Sequence, residues 1–420
     1  MKIKVFPKVY DSNKTQTLTI KLNDTYAEEI SVIIQPQEKY AIKHTPIIYR
    51  IDEQERYPSI KVKANRNGDF SLEYHFISEQ RYCVTVIAGE ERASSYVYAV
   101  DSDYKKLRPF KGDTHLHTTG SDGAYTPFEV ALLYRKSGYD FIAITDHHKM
   151  QPSVEAIAKV KTLTSDFTVF QSEEVHNRDM GYFHIVNFGA TKSVNEWIEE
   201  DQDRTHREVV KVLNSLDKTK IPESADAYAI AYRIMVANKI REFGGIAIMA
   251  HPFWDVYGEY NTPTEEVEYV WRHFGYDALE VLASTDKVDN GDNLQVALWE
   301  ELRAEGLKIP VIGASDFHNL DIYNHFNKHF TLVLSESAND IKQAIKNELS
   351  VAVERANDER FFVVGRFRAV KYARFILAEF YPEYVKLCKN HALAMENQDQ
   401  KAINDVENQI DQYKKQFFGA

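Results

Sequence analysis

The chain has 420 residues, of which 44% are hydrophobic and 27% are charged, and it contains 17 Gly and 12 Pro. This length predicts two or three domains, and the low Gly and Pro content excludes collagen-like and low-complexity chains. The formal net charge of −12 disfavours nucleic acid and anionic membranes as partners, because a field of that sign repels them. At first it also argues against an anionic small substrate.

The cellular compartment is predicted from features that the sequence lacks. No apolar run approaches the roughly 20 residues that span a bilayer, and the first residues do not have the pattern of a signal peptide. Cys83 and Cys388 lie far apart and form no Cys-x-x-Cys pair, so we expect neither a disulfide framework nor a cysteine-ligated zinc site. These observations favour the reducing cytoplasm.

Residues 1–108 are predicted to form a small β-sandwich, immunoglobulin-like module. Leu18, Ile20 and Leu22 alternate with polar residues, which is the period of a half-buried strand. Similar short runs lie at 30–34, 47–51, 60–62, 70–76, 82–87 and 95–100. Regular short strands at this spacing favour a sandwich. Because the region holds no histidine or carboxylate cluster, we interpret it as a structural module.

From about residue 109 to 335 the pattern changes to strands that alternate with helices. Thr126, Pro127 and Glu129 predict a capping-box start for a helix that ends at Gly138. Strands are predicted at 141–145, 167–170, 184–188, 246–250, 278–282, 309–312 and 330–334, with long helices at 194–216 and 225–243. This alternation favours an α/β fold with a mainly parallel sheet, open or closed into a barrel.

Residues 336–420 are predicted to form a C-terminal strand and helical extension that packs on the barrel. An amphipathic helix is indicated there by apolar residues at 3-4-3-4 spacing, namely Ile403, Val406, Ile410, Tyr413 and Phe417. Two heptads are too few to indicate a coiled coil. Packing on the barrel is therefore preferred over a partner interface.

Histidines and carboxylates follow one predicted strand after another. The segments are 112–117 and 121–123, 146–148, 173–176, His251 and 315–318, while His184 opens a predicted strand and Glu280 lies inside one. The carboxyl ends of successive strands meet on one face of a β/α barrel, so these side chains are expected to converge. A single histidine at a strand end is more often structural, but so many at successive strands indicate a metal site. Imidazole and carboxylate ligands without thiolate suit divalent ions of Zn, Fe or Mn.

With these residues the chain resembles the PHP (polymerase and histidinol phosphatase) metal-dependent hydrolases. The resemblance covers roughly residues 110–334 and four ordered motifs, beginning with His115-Leu116-His117 and ending with Ser315-Asp316-Phe317-His318. It implies a distorted (β/α)7 barrel with a trinuclear metal centre at its C-terminal face. The β-module and helical tail also resemble a bacterial branch related to the carbaryl-ester hydrolases.

The resemblance implies a ligand set for each ion. The first ion takes His115, His117, Glu174 and Asp316; the second takes Glu174, His184 and His251; the third takes Asp122, His147 and His318. Glu174 is preferred to Glu173 because it precedes Val175, as in a Glu-Val step of the family. Gln171-Ser172 departs from the Pro-Gly that is common there, which puts the loop geometry in question. His148, His176 and Asp146 are candidates for proton transfer or for support of the ligands.

The predicted activity is that of a metal-dependent phosphoesterase that hydrolyses a small soluble phosphate ester through a metal-bound hydroxide. Three divalent ions bring about six positive charges and three carboxylates remove three, so the local excess suits a phosphate. Alternatives are a carboxylic or carbamate ester hydrolase at the same centre, and a non-catalytic metal- or carbohydrate-binding protein. Possible phosphate-binding cations are Lys149, Arg178, Arg204 and Lys287, although ordinary surface charge is the preferred explanation for them.

Overall fold

The computed structural model describes residues 1–23, 26–38, 57–176, 183–256, 258–283, 290–320, 326–356 and 360–419. The chain divides into two compact units. Unit 1 comprises Met1–Leu107, Phe375–Pro382 and Asn408–Ala420, and unit 2 comprises Arg108–Arg374 and Glu383–Glu407. The strand predicted at 47–51 and the candidate cations Arg178 and Lys287 lie outside the described residues.

The described strands of unit 1 form two sheets. They are β1 (Lys2–Phe6), β2 (Val9–Asp11), β3 (Lys14–Asn23), β4 (Glu29–Pro36), β5 (Ile60–Lys63), β6 (Phe70–Phe76), β7 (Gln80–Ala88) and β8 (Glu91–Val100), followed by the short helix α1 (Ser102–Lys105). The sheet orders are β1-β3-β6 and β2-β8-β7-β4-β5, antiparallel apart from the β2–β8 pair. Side chains from both sheets share one apolar core, in which Leu18 and Phe70 of the first sheet meet Val32 and Val84 of the second.

The strands of unit 2 form two larger sheets and a small hairpin. They are β9 (Arg108–Asp113), β10 (Phe141–Ala143), β11 (Thr168–Phe170), β12 (Ser172–His176), β13 (His184–Phe188), β14 (Ile246–Met249), β15 (Asp255–Val256), β16 (Glu259–Tyr260), β17 (Ala278–Ala283), β18 (Val311–Ala314), β19 (His329–Ser335), β20 (Ser350–Arg355) and β21 (Phe361–Gly365). The sheet orders are β11-β10-β9-β19-β20-β21 and β12-β13-β14-β17-β18, and β15 pairs with β16.

The expectation of a mainly parallel sheet is wrong, because both larger sheets are mixed. Strands β9, β10 and β11 are parallel, as are β14, β17 and β18, whereas β13 is antiparallel to both β12 and β14. Strands β19, β20 and β21 are antiparallel to their neighbours as well. The link from β12 to β13 spans residues 177–183. Seven residues are too few for the crossover of a dozen or more that a parallel connection needs, so β13 reverses direction.

Helices complete a mixed α/β architecture with a helical C-terminal region. They are α2 (Pro127–Lys136), α3 (Gln151–Lys161), α4 (Val194–Glu200), α5 (Gln202–Ser215), α6 (Ala227–Glu242), α7 (Thr264–His273), α8 (Asn290–Ala304), α9 (Ile341–Lys346), α10 (Phe367–Glu379), α11 (Tyr381–Glu396) and α12 (Gln400–Phe418). Among the helices that the structure describes, none is long and apolar enough to cross a bilayer.

Local sequence signals explain where several helices begin and end. The predicted capping box is confirmed, since the Thr126 side chain accepts from the Glu129 N–H and the Glu129 carboxylate accepts from the Thr126 N–H. The run predicted as one helix at 194–216 is two helices, because Asp201 is extended and accepts from the Arg204 N–H at 2.8 Å to begin α5. The amphipathic prediction for α12 is confirmed by the buried side chains of Ile403 and Ile410.

Two apolar cores lie on opposite faces of the sheet that contains β12, β13, β14, β17 and β18. One is formed by that sheet and helices α4 to α8, and it includes Ile230, Val267 and Leu298. The other contains side chains from strands of both larger sheets, such as Phe141 and Ile248. Because the sheet is covered on both faces, its strands read as continuous apolar runs rather than as an alternating pattern.

Two single bridges join the larger sheets, one between the segments after β9 and β18 and the other between the segment after β10 and β12. Leu116 pairs with Phe317 and His147 pairs with Glu174, both in the parallel sense. At the first bridge, the His117 N–H donates to the Phe317 carbonyl at 2.7 Å. The chain segments after β9, β10 and β18 are thereby held against one another and against β12, which fixes the side chains that they carry.

Lys111 of β9 is a buried cation, and it should give stability a distinct pH dependence. Its ammonium donates to Asn327 Oδ1 at 2.7 Å and to the Ser137 carbonyl at 3.2 Å, and it lies 4.0 Å from the Tyr139 ring centroid. Burial lowers the pKa of Lys111 to about 7. Between pH 7 and about 10, the unfolded chain therefore keeps a proton that the folded chain has released, so this residue makes stability rise with pH.

Lys111→Met tests that expectation. The free energy of unfolding of the natural chain, measured by urea titration from pH 6 to 9.5, is expected to rise relative to that of the variant. The variant removes the titrating ammonium but keeps the apolar stem, so effects common to both proteins cancel. Parallel curves across this range would contradict a strongly lowered pKa for Lys111.

Candidate metal centre

The nine predicted ligands lie together at one end of unit 2. They come from the segments after β9, β10, β14 and β18 and from β12 and β13, and they are His115, His117, Asp122, His147, Glu174, His184, His251, Asp316 and His318. Every one belongs to at least one set of three or four side chains whose donor atoms lie within 4.8 Å of one another. Six chain segments thus converge, although they span about two hundred positions of the sequence.

Glu174 lies at the middle of this cluster and is fully buried. Its carboxylate oxygens lie 2.7 Å from His147 Nδ1, 2.8 Å from His184 Nδ1 and 3.2 Å from His115 Nε2. Burial opposes ionisation, yet the neighbouring imidazoles of His184, His115 and His147 hold the pKa of Glu174 well below its usual value. A buried carboxylate surrounded by imidazoles is the arrangement expected of a ligand that bridges cations.

The first predicted ligand set has spacings that suit one ion. Asp316 Oδ1 lies 3.3 Å from His115 Nε2 and 3.0 Å from His117 Nε2. The same two imidazole nitrogens lie 3.2 Å and 3.6 Å from the Glu174 oxygens. Tetrahedral ligands held 2.0–2.2 Å from one zinc ion are about 3.4 Å apart. The four side chains can therefore share an ion with little movement.

The second predicted set has comparable spacings. His184 Nδ1 lies 3.2 Å from His251 Nε2, and Glu174 Oε1 lies 2.8 Å and 3.7 Å from these two nitrogens. Burial lowers the pKa of His184 to about 4. A neutral imidazole is the form that binds a metal ion, which suits His184 to act as a ligand.

The third predicted set surrounds Asp122, whose side chain is the most exposed of the nine. Its oxygens lie 3.6 Å from His147 Nε2 and 3.5 Å from His318 Nε2. His117 Nδ1 also lies 3.6 Å from Asp122, so this imidazole faces the first set through one nitrogen and the third through the other. The sequence alone did not indicate that His117 stands between two sets.

The reversed strand β13 explains how His184 reaches the cluster. In a parallel sheet, a residue at the amino end of a strand would lie at the edge opposite the carboxyl ends. Because β12 and β13 form an antiparallel pair, His184 is instead directly across from His176 at the end of β12. His184 stays a predicted ligand, and the parallel geometry assumed for its strand was wrong.

Glu173 and Glu174 are both buried, and their partners separate their roles. The Glu173 carboxylate accepts from the Ser193 hydroxyl at 2.6 Å, the Val194 N–H at 2.5 Å and the Asn195 amide at 3.0 Å. These donors lie at the start of α4, so Glu173 anchors that helix. Neighbouring residues of a strand point to opposite faces, which leaves Glu174 to face the imidazoles.

Asp146 holds the loop that carries Asp122. One carboxylate oxygen accepts from the Thr118 and Ser121 N–H groups at 2.8 Å and 2.9 Å and from the Ser121 hydroxyl at 2.7 Å. The other accepts from the Thr118 hydroxyl at 2.6 Å. With its oxygens engaged in this way, Asp146 orders the turn from Thr118 to Ser121.

His148 and His176 stand together at the edge of the cluster. Their rings stack with centroids 5.2 Å apart, and the His176 ring lies 4.5 Å from that of His184. Burial, followed by the neighbouring His184, lowers the pKa of His176 to about 3. His147, His176 and His184 also form a set with donor atoms within 4.8 Å, which the sequence did not predict.

Three residues of the cluster adopt positive φ although they are not glycine. The φ angles are 60° for His148, 21° for His251 and 48° for Asp316. This region is uncommon for residues with a Cβ, and it persists only where the surrounding structure enforces it. Such positions concentrate at functional sites, which agrees with the converging ligands.

The candidate cations differ in their surroundings. Lys149 is exposed and donates to the Gly120 carbonyl at 2.8 Å, beside the loop that carries Asp122. Arg204 instead contacts Glu200 at 3.3 Å and lies 4.3 Å over the Trp197 ring. Of the two that the structure describes, Lys149 is therefore the one tied to the cluster.

Trp254 is a residue of the site that the sequence analysis did not identify. Its ring lies 5.5 Å from that of His251 and 5.8 Å from that of His184. The spacing of three positions between His251 and Trp254 does not indicate that the tryptophan lies at the cluster. Only the turn that follows β14 brings it to the cluster.

The cluster fits divalent metal ions by an observation independent of any resemblance. Both Glu174 oxygens and His115 Nε2 are buried and make no hydrogen bond of normal geometry with the described residues. Buried polar atoms are rarely left in this state. Imidazole nitrogens and carboxylate oxygens are the ligands of Zn²⁺, Fe and Mn²⁺, so bound cations would satisfy them.

Glu280 of β17 supports two of the ligands. Its Oε1 lies 3.0 Å from His115 Nδ1, and its Oε2 accepts from the His251 N–H at 3.1 Å. This contact fixes a proton on His115 Nδ1 and leaves Nε2 free to face Glu174 and Asp316. Sequence analysis noted Glu280 only as a residue near the predicted face.

Glu280→Gln should weaken the centre without removing a ligand. The amide can replace only one of the two accepting oxygens, so either His115 or the His251 backbone loses its partner. We expect metal affinity to fall about 10- to 100-fold, as is typical for such supporting carboxylates. Competition with a calibrated chelator measures this, with circular dichroism as the control for folding. An unchanged affinity would show that Glu280 does not orient these groups.

Comparisons with known proteins give limited likenesses. No protein-family model matches the chain. A segment of 50 residues is 44% identical to the DNA polymerase/3'-5' exonuclease PolX of Bacillus subtilis (strain 168), covering 12% of this chain and 9% of that protein's length.

Two solved structures align with part of the chain. One is a two-domain protein from Bacteroides vulgatus, named as containing a predicted PHP-like metal-dependent phosphoesterase, with 15% identity, a TM-score of 0.43 and coverage of 64% of this chain and 71% of that one. The other, from Bifidobacterium adolescentis, is named as a metal-dependent phosphoesterase, with 17% identity, a TM-score of 0.35 and coverage of 49% and 87%. Both TM-scores are low, so the cluster's own geometry must support any functional conclusion.

Proposed function

We propose that the protein is a metal-dependent phosphoesterase of the PHP type that hydrolyses a small soluble phosphate ester at a trinuclear centre. The observation that carries this proposal is the buried Glu174 carboxylate with imidazoles at 2.7, 2.8 and 3.2 Å, flanked by Asp122 and Asp316. Three carboxylates cannot neutralise three divalent ions, and the remaining positive charge suits a phosphate group. The net charge of −12 is then no obstacle to such a substrate.

The proposed ligand sets are His115, His117, Glu174 and Asp316 for the first ion, Glu174, His184 and His251 for the second, and Asp122, His147 and His318 for the third. When bound, ions of Zn, Fe or Mn supply Lewis-acid polarisation of a phosphoryl oxygen and ionise water near neutral pH. Hydrolysis forms a bond from the water oxygen to phosphorus, breaks the bond to the ester oxygen, and delivers a proton to the departing alcohol.

The chain's own residues orient the site and handle protons. Asp146 holds the loop that carries Asp122, and Glu280 keeps the proton of His115 on Nδ1. His148 and His176 lie at the edge of the cluster, where a ring nitrogen can exchange a proton with the ester oxygen. We propose these two as proton-transfer residues and Asp146 as a positioning residue.

The proposal extends to the architecture. The bridges at Leu116–Phe317 and His147–Glu174 support a distorted seven-stranded barrel made of β9, β10, β12, β13, β14, β17 and β18. We retain the division into a β-sandwich at 1–108, a barrel at 109–335 and an extension at 336–420 as proposals. The cytoplasmic location, the exclusion of nucleic acid and membrane partners, and the branch related to carbaryl-ester hydrolases are proposals too.

His251→Ala and Asp316→Ala test the activity. Each removes one proposed ligand, so both variants are expected to lose phosphatase activity while their circular dichroism is kept. His206→Ala is the matched control, because this histidine contacts Tyr228 on the helical side of unit 2. The assay compares an aryl phosphate, glycerol phosphate, an aryl acetate and an aryl carbamate with the metal-loaded protein. Full phosphatase activity in folded ligand variants would overturn the proposal, and hydrolysis of only the carboxylic or carbamate ester would favour the alternative chemistry.

A further inference from the structure

An aromatic wall lines one side of the metal cluster. We use this name for the rings of Trp254, His184, His176 and His148. Successive centroids lie 5.8 Å, 4.5 Å and 5.2 Å apart, with interplanar angles of 38°, 58° and 19°. The His176 and His184 rings are buried, and those of Trp254 and His148 are partly exposed. Only His184 in this row is a proposed metal ligand, and its Nδ1 faces Glu174.

Trp254 is fixed at the start of this wall by its backbone. Its N–H donates to the His251 carbonyl at 3.0 Å, and its carbonyl accepts from the Asn261 N–H at 2.8 Å. The hairpin of β15 and β16 lies between these two contacts, and Phe253 is buried beneath it against the Tyr260 ring. The indole itself is only partly buried, so part of its surface remains available to a ligand.

Charged groups also lie at the cluster. Asp122 is the most exposed of the predicted ligands, and Lys149 donates to the Gly120 carbonyl in the loop that Asp146 holds. A substrate bound at the cluster would meet these charged groups and, by stacking, the partly exposed Trp254 ring. Flat aromatic groups gain from such stacking, whereas short alkyl groups do not.

We propose that the aromatic wall binds a flat aromatic leaving group, so that the preferred substrates are aryl phosphate esters. This inference rests on the proposed phosphoesterase function for its reacting group. Trp254 is the specificity-determining residue, because it has the largest ring of the wall and no role in the ligand sets. The ester oxygen would then lie near His176, at the junction of the wall and the cluster.

Trp254→Ala and Trp254→Phe test the inference by kinetics. With 4-nitrophenyl phosphate, kcat/KM of Trp254→Ala is expected to fall about tenfold, mainly through KM, and Trp254→Phe to recover most of it. With glycerol phosphate, kcat/KM of both variants is expected to stay within about twofold of the value for the natural chain. Trp197→Ala, which removes a tryptophan from α4, is the matched control and should leave kcat/KM unchanged for both substrates. An equal loss on both substrates would overturn the inference.

Equilibrium binding gives a test that needs no turnover. Phenylphosphonate and methylphosphonate, titrated calorimetrically into the metal-loaded protein, are expected to differ about tenfold in affinity, and Trp254→Ala should abolish the difference. Equal affinities in the natural chain would overturn the inference. If no phosphate ester is hydrolysed but the Trp254-dependent difference is present, the phosphoesterase function fails while the aromatic wall is upheld as a binding surface.

Discussion

Glu174→Gln is expected to lower phosphatase activity about a thousandfold and to reduce the metal content of the purified protein. Glu174 contacts imidazoles of all three proposed ligand sets, through His115, His184 and His147. A neutral amide cannot bridge two cations, so the change removes a ligand from two ions together. The Lewis-acid effect of an ion is worth several kcal/mol, and each 1.4 kcal/mol is about tenfold in rate. Steady-state kinetics and elemental analysis measure the two effects.

Glu173→Gln is the matched control, because it makes the same chemical change one residue away. Glu173 anchors α4 through Ser193, Val194 and Asn195, so its loss should reduce thermal stability. A hydrogen bond to a buried charged group contributes about 1.5–3 kcal/mol. We expect this variant to bind metal and to retain activity at 25 °C. If Glu173→Gln lost the metal and Glu174→Gln kept it, the assignment of the two residues would be reversed.

Metal removal is expected to lower the melting temperature of unit 2 by about 10 °C or more. An ion that binds only the folded chain at a thousand times its Kd stabilises it by about 4 kcal/mol. For a unit of this size, each kcal/mol shifts the melting temperature by about 2 °C, and more than one ion is proposed. Without ions, His184 Nδ1 and His251 Nε2 face each other at 3.2 Å beside a buried carboxylate.

Differential scanning calorimetry with and without a chelator measures this shift. Glu174→Gln serves as the control, because a protein that has already lost the ions should hardly respond to the chelator. Adding Zn²⁺ or Mn²⁺ back should return the melting temperature of the natural chain to its value before chelation. An unchanged melting temperature in protein shown by elemental analysis to be metal-free would contradict a metal centre in this cluster.

The sequence predicted local features well. The capping box at Thr126, the strand 184–188 and the amphipathic face of α12 depend on residue types close together in the chain, and the structure has them. Strand direction was predicted less well. The apolar runs of β12, β13 and β14 show that the strands are buried but not which way they run, so the reversal of β13 was missed.

At the candidate site as well, the sequence indicated the residue types but not the contacts between distant side chains. The residue types after each strand identified the imidazoles and carboxylates, because metal chemistry restricts which side chains can serve. Spacing could not show that His117 faces two sets, that Glu280 supports His115 or that Trp254 starts an aromatic wall. These relations join residues that are distant in the chain.

The sequence by itself determined many of the element types and the acidic net charge, and it predicted the donor set of a candidate metal centre. The tertiary structure decided which strands run antiparallel, which of Glu173 and Glu174 faces the imidazoles, and which ring lines the cluster. The physical reason is that residue type and periodicity report the burial and chemistry of each segment. Direction, register and convergence depend on how distant segments pack, and packing is a property of the whole fold.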